Sequence, residues 1–232
     1  MLVIISPAKT LDMSMNSKIH GTSVANSIRP ATTPSMAAQA DPLIADLRKQ
    51  GNAGIKKMMG VSDAIASLSV ERFKDFVLSD ALPADGAKQA AFAFDGPAYK
   101  GFAASTLSAE DLQYAQDHMR ILCGLYGSLK PCDLIQPYRL EMGCTGKWGG
   151  GGSLYEYWGS EIADDIVATL QQQKRAGLIV NCASTEYSKS VLPHVGDRAG
   201  VVECVFKDGG MIKSVYAKRA RGLMAVRPAL AL

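Results

Sequence analysis

The chain has 232 residues, 47% hydrophobic and 20% charged, with a net charge of +3, which describes a soluble globular protein able to build a substantial core. No window approaches the roughly 18–20 consecutive apolar residues of a membrane span, and no basic stretch precedes the first apolar run, so the sequence reads as cytosolic, without membrane contact. Its 22 glycines and 10 prolines are an ordinary share, which excludes collagen-like and broadly disordered chains.

Leu2-Val3-Ile4-Ile5 predicts a buried strand, ended by Ser6-Pro7 because proline cannot donate to a central ladder. Residues 13–40, rich in Ser, Thr, Asn, Ala and Pro without period, predict a long loop. From Asp41 to Phe76 the apolar spacing predicts short helices, and Ala87–Phe94 continues that trend to a turn at Asp95-Gly96-Pro97. Ser108, followed by Glu110 and Asp111, caps a helix running to about His118. Arg120–Leu125 predicts a strand, and the Gly- and Pro-rich stretch from Ser128 to Gly152 an irregular region. Leu154–Gln173 has the spacing of the longest helix, and Leu178-Ile179-Val180 that of a second buried strand. Val201–Phe206 and Met211–Tyr216 flank Asp208-Gly209-Gly210, which predicts a hairpin, and Ala217–Ala225 closes the pattern as a helix. No period of repeat length recurs. The sum is a single α/β domain with a mixed sheet flanked by helices.

The net charge hides an asymmetry. Residues 1–60 carry 7 basic and 3 acidic groups, and residues 207–232 carry 6 and 1, whereas residues 61–117 carry 4 and 9. If the two basic ends meet in the fold, they create a local positive field. The 5 cysteines (Cys123, Cys132, Cys144, Cys182, Cys204) are odd in number and widely spaced, which argues against a disulfide framework, and Cys123 and Cys182 read as small core residues. The histidines, His20, His118 and His194, are scattered, so no metal site and no cofactor is indicated.

Four segments could carry chemistry. Lys9, in the turn Ser6-Pro7-Ala8-Lys9-Thr10 after the first strand, could offer a point charge to an anion. Arg120, Tyr126, Lys130, Arg139 and Glu141 lie among Gly, Pro and aromatic residues, and Arg139 and Glu141, two apart, would share a face of an extended segment. Glu186 and Lys189 follow the second buried strand, where Ser184 could cap a short helix. Lys218, Arg219 and Arg221 place three cations within four residues. There is no nucleophile elbow, dinucleotide fingerprint or paired-histidine constellation, so no known catalytic motif marks the chain as an enzyme.

These blocks carry a family resemblance. Ser6–Leu11, Gly124-Leu125-Tyr126-Gly127, Gln136–Gly143, Trp158-Gly159, Asn181 with Ala183-Ser184, and Tyr216–Met224 resemble, in order, the signature blocks of the YaaA peroxide-stress family. The match reaches from residue 2 to residue 224 and leaves 225–232 as an atypical tail. The resemblance implies a cytosolic protein that limits free intracellular iron under peroxide stress, with a single-domain fold of the cantaloupe type. It also implies a positively charged cleft and duplex DNA binding, by backbone or shape, through a helix-hairpin-helix element. That hairpin would fall on Ala64–Phe73, with Ser67 where a glycine is usual. Family members normally continue past the Arg-Gly-Leu-Met block, which leads us to expect a truncated chain that lacks one strand and exposes a sheet edge.

Two functions are weighed on this basis. In the first, Lys9, Arg120, Arg139, Lys189, Lys218 and Arg221 line a cleft that binds DNA without enzymatic chemistry. In the second, the same cleft holds an anionic small molecule or nucleotide, with Glu141 or Glu186 carrying protons and Tyr126 or Tyr138 stacking on a base.

Overall fold

The computed structural model describes residues 1–14, 31–79, 86–173, 177–207, 209–211 and 213–230. Its central strand, β1 (Leu2–Ile5), is buried along its whole length, because neighbouring strands and covering helices leave neither face to solvent. It pairs in parallel with β5 (Met119–Cys123) on one side and β8 (Leu178–Asn181) on the other, so that Ile4 faces both Arg120 and Asn181. β6 (Gly127–Leu129) runs antiparallel beside β5, and β9 (Gly200–Glu203) parallel beside β8, which gives the order β6-β5-β1-β8-β9. This is the expected α/β arrangement, a mostly parallel sheet flanked by helices around one contiguous core.

Two short antiparallel pairings fasten the loops. β2 (Thr10–Leu11) holds β4 (Phe94–Asp95), and β3 (Lys88–Gln89) holds β7 (Leu134–Ile135). Between β3 and β4 lies a single helical turn, α4 (Ala90–Ala93), so residues 87–94 do not extend the preceding helices. The Ala90 and Ala91 amides donate instead to the carbonyls of Asp133 and Pro131.

The predicted short helices are α1 (Ala37–Arg48), α2 (Asn52–Met59) and α3 (Asp63–Asp75). α1 starts inside the stretch read as loop, because Ala37 and Ala40 contribute a buried face that the alanine-rich composition concealed. Residues 15–30 of that stretch, His20 among them, lie outside the described residues. The expected hairpin at Ala64–Phe73 is not formed: the whole segment is internal to α3. The reversal comes earlier, at Gly60 with φ 61°, followed by Ser62, whose hydroxyl accepts from the Ile65 amide. Ser67 sits on the interface between the two helices and accepts a hydrogen bond from the Asn52 side chain at 2.5 Å.

α5 (Pro97–Phe102) begins with proline in its first turn, directly after the Asp95-Gly96 turn. α6 (Ala109–His118) opens on the predicted Ser108 cap, to which the structure adds a reciprocal bond to the Asp111 side chain, completing a capping box. The long helix expected over 154–173 is two helices, α7 (Leu154–Trp158) and α8 (Glu161–Gln172). Gly159, with φ 44°, breaks them apart, although the apolar spacing continues across the break. Trp158 is buried, and its indole N–H donates to the Gly124 carbonyl at 3.0 Å, tying α7 to the loop after β5. Trp148, also buried, lies in the glycine-rich loop that the Asp46 carboxylate holds through the Gly149 amide at 3.0 Å.

After β8 come the short helices α9 (Thr185–Ser188) and α10 (Leu192–Val195). Among the described residues, the predicted hairpin strands over 201–216 are not formed as expected: β9 ends at Glu203. Residues 214–216 belong to α11 (Ser214–Leu230), whose run of Ala, Lys, Arg and Leu favours helix and overrides the short alternation at its start. Asp208 and Ile212 of that hairpin lie outside the described residues. β9 is the last strand of the sheet on its side, and all four of its residues are exposed.

α11 packs across α5 and reaches β1 and α6. The approach is close enough that a side chain at either crossing glycine would strike backbone. A Cβ at Gly222 would overlap the Ala98 carbonyl, and one at Gly101 would overlap the Arg219 carbonyl. We predict that Gly222→Val lowers stability by about 1–3 kcal/mol, measured by chemical denaturation. Gly51→Ala, at a glycine with open space around it, should be nearly silent.

Candidate functional site

Loops that follow parallel strands are free of ladder hydrogen bonds, so polar groups can collect at the carboxyl ends of the sheet. Here the loop after β1 and the turn after β8 are stitched together. The Ser6 hydroxyl donates to Ser184 Oγ at 3.1 Å and accepts from the Ser184 amide at 2.8 Å. Ser184 precedes α9, yet its side chain makes no capping bond, being spent on this bridge. The Tyr99 hydroxyl secures the same loop by donating to the Ser6 carbonyl at 3.1 Å.

Above this bridge lies a cavity of about 380 Å³. Its walls are the Ile5–Thr10 loop, the Asp95–Ala98 turn, Cys182, Ser184, Glu186 and Tyr187, with Lys218 and Arg221 of α11 across the mouth. The two basic ends of the chain therefore meet here, Lys9 from one and Lys218 and Arg221 from the other. Arg221 has its Nε buried without a hydrogen-bond partner among the described residues. Lys218 is exposed.

Acids temper this field. Lys9, whose side chain is 65% exposed, lies 3.4 Å from Glu141, and Arg139 pairs with the same carboxylate at 2.9 Å. Glu186 accepts from the Gly143 amide at 3.0 Å. Its own carbonyl accepts from the Tyr155 hydroxyl at 2.9 Å, a phenol whose pKa is raised by burial and by the Glu186 charge.

The cavity thus gathers Lys9, Glu186, Lys218 and Arg221, with Arg139 and Glu141 joined to it through Lys9. Lys189 is exposed just beyond α9 and does not line it. Arg120 is not in the cleft. It stands near the amino end of β5, at the opposite edge of the sheet, where its guanidinium donates to the Met119 carbonyl at 2.8 Å and to Thr169 at 3.0 Å. Asp165 lies 3.8 Å away, and burial lowers the arginine's pKa, so this is an internal strut. Tyr126 and Tyr138 are core residues, 1% and 5% exposed, packed edge to face at 5.5 Å and closed to a stacking base.

The sequence reading passed over Asp95 and Gly96 as a mere turn, although they form one wall. The available signal was Gly96, where a Cβ would come within 3.2 Å of Ala8. Cys182, read as core, does lie buried, and it also forms part of the cavity floor. Among the described residues no cluster of three or more His, Cys, Asp or Glu is placed to hold a metal ion, and no helix is long and apolar enough to cross a membrane.

This is an α/β protein whose candidate site lies across the carboxyl ends of two parallel strands. Residues 1–229 match the family described as peroxide stress protein YaaA. A UPF0246 protein of Polynucleobacter necessarius is 42% identical over 229 residues, covering 97% of this chain and 84% of that protein. UPF0246 protein RSc2009 of Ralstonia nicotianae is 45% identical with the same coverage. The chain belongs to the YaaA peroxide-stress family.

Removing the bridge tests how far the two loops depend on each other. Ser6→Ala leaves the Ser184 amide without its acceptor and should lower stability by about 1 kcal/mol, measured by thermal denaturation. An unchanged melting temperature would show that the bridge is dispensable.

Proposed function

We propose that the cleft binds the phosphate backbone of duplex DNA, and that through it this peroxide-stress protein acts in the cytosol to keep free iron low. The observation that carries the reading is the convergence of Lys9, Lys218 and Arg221, from opposite ends of the chain, on one cavity. Each phosphate neutralised by such a cation releases counterions, so log affinity falls with log salt by about 0.9 per contact. The reading is confined to the backbone, because Lys9, Lys218 and Arg221 offer charge to phosphates and such contacts carry no sequence information. We expect a steep salt dependence for duplex DNA in fluorescence anisotropy titrations. Replacing Lys218 and Arg221 together by alanine should reduce the slope by up to about 2, the sum of two such contacts. A flat salt dependence in the unaltered protein would sink the reading.

A second reading is favoured by one feature: the cavity is concave and holds Glu186 among its cations, as a site for a small anionic molecule or nucleotide would. In that case Lys9, Lys218 and Arg221 clamp the anion, and Glu186 or Glu141 moves a proton. The buried tyrosines play no part in it. Thermal-shift measurements with a nucleotide series, in the unaltered protein and in Glu141→Gln, separate the two. Nucleotide-dependent stabilisation without DNA affinity selects the enzyme.

A further inference from the structure

Cys182 is the first residue after β8, and Cys204 the first after β9. The parallel register runs to Asn181 opposite Glu203, and just beyond it the Cys204 amide donates to the Asn181 carbonyl at 3.1 Å, which keeps the two segments side by side at the cysteines. Register partners on neighbouring strands put their side chains on the same face, with their backbones about 4.8 Å apart. That lies within the roughly 4.4–6.8 Å between Cα atoms that a disulfide spans. Both cysteines are free. Cys123, by contrast, is engaged by the Tyr138 hydroxyl at 2.9 Å.

The pair is unequal in a useful way. Cys204 is half-buried, so a small oxidant in solvent can reach it. Cys182 is fully buried, and desolvation followed by the neighbouring Cys204 raises its pKa, which protects it from direct attack. The Arg221 charge acts on Cys182 in the opposite sense and favours its thiolate. A half-buried attacking thiol beside a fully buried resolving thiol is the arrangement of a redox-responsive pair.

We propose that Cys182 and Cys204 are a peroxide-responsive dithiol, which closes to an intramolecular disulfide beside the cleft that Cys182 lines. The Cys204 sulfur attacks one oxygen of hydrogen peroxide and the O–O bond breaks. The other oxygen leaves as water, and Cys204 becomes a sulfenic acid. The Cys182 sulfur then attacks the Cys204 sulfur, the S–O bond breaks, and the hydroxyl departs with the Cys182 proton as a second water. Two electrons pass from the two sulfurs to one peroxide, and the two thiol protons end in the two waters. A reducing dithiol restores the starting state. The inference rests on strand register and burial, and its readout is thiol chemistry, so it stands or falls apart from the DNA reading.

The full chain is exposed to a small excess of hydrogen peroxide, quenched in acid, alkylated under denaturing conditions and mapped by peptide mass spectrometry. We expect two of the 5 cysteines to escape alkylation, joined as a Cys182–Cys204 linked peptide that disappears on reduction with dithiothreitol. In Cys182→Ser, Cys204 should be trapped by dimedone as the sulfenic acid, and in Cys204→Ser, Cys182 should remain reduced at the same peroxide dose. The proposal is overturned if Cys204 runs on to the sulfinic acid while Cys182 stays reduced. It is equally overturned if the linkage joins other cysteines, or if all five stay reduced at a dose that oxidises an added dithiol peptide. The mass map of the unaltered chain decides the matter even if a variant fails to fold.

Discussion

The close crossing of α5 and α11 is the constraint on which the cleft depends. Two helices can approach to backbone contact only where side chains are missing, and here Gly101 and Gly222 supply the gap from both sides. That contact fixes the height of α11 above the sheet, and with it the reach of Lys218 and Arg221, four residues and one residue before Gly222. α5 is itself positioned by the Asp95–Ala98 turn, which forms the facing wall of the cavity. One interhelical distance therefore sets the width of the site and the placement of its cations together.

The electrostatics of the cleft are those of a field partly spent on the protein itself. Glu141 draws Lys9 and Arg139 towards one carboxylate, and Glu186 is occupied by the Gly143 amide. Arg221 keeps a buried Nε without a partner among the described residues, which leaves it a donor for an incoming acceptor. The Lys9 end of its pair with Glu141 is exposed and the separation is 3.4 Å, so the pair holds Lys9 only weakly and leaves it able to turn towards another anion.

The central strands were legible in the sequence because β1 is a continuous apolar run ended by Ser6-Pro7, and β5 and β8 each carry three successive apolar residues, Ile121-Leu122-Cys123 and Leu178-Ile179-Val180, before a Gly or a polar turn. The Ser108 cap was legible because a serine followed by an acid three residues later satisfies two amides at once. What failed were periodic arguments that ignored neighbours. The apolar spacing from Leu154 to Leu170 runs straight through Gly159, and only the backbone, with φ 44° there, reveals the break between α7 and α8. The hairpin near Gly209 was read from turn chemistry, but a turn residue does not make a strand, and the helix-forming run after Ser214 prevailed. Of the site, charged residues within distinctive polar blocks could be named in advance. Which end of a strand they occupied could not, and Arg120, one residue into β5, consequently lies on the far edge from Cys123 and the cleft.

The two buried tryptophans have an optical consequence. Trp158 reads the packing of the sheet beside β5, and Trp148 reads the glycine-rich loop that Asp46 holds to α1. Both indoles are shielded from water, which places the native emission at short wavelength, and neither lines the cleft. Intrinsic fluorescence of this chain therefore reports loss of the core rather than occupancy of the site, and quenching by a nucleic acid or nucleotide would have to arise through movement of the loops around them.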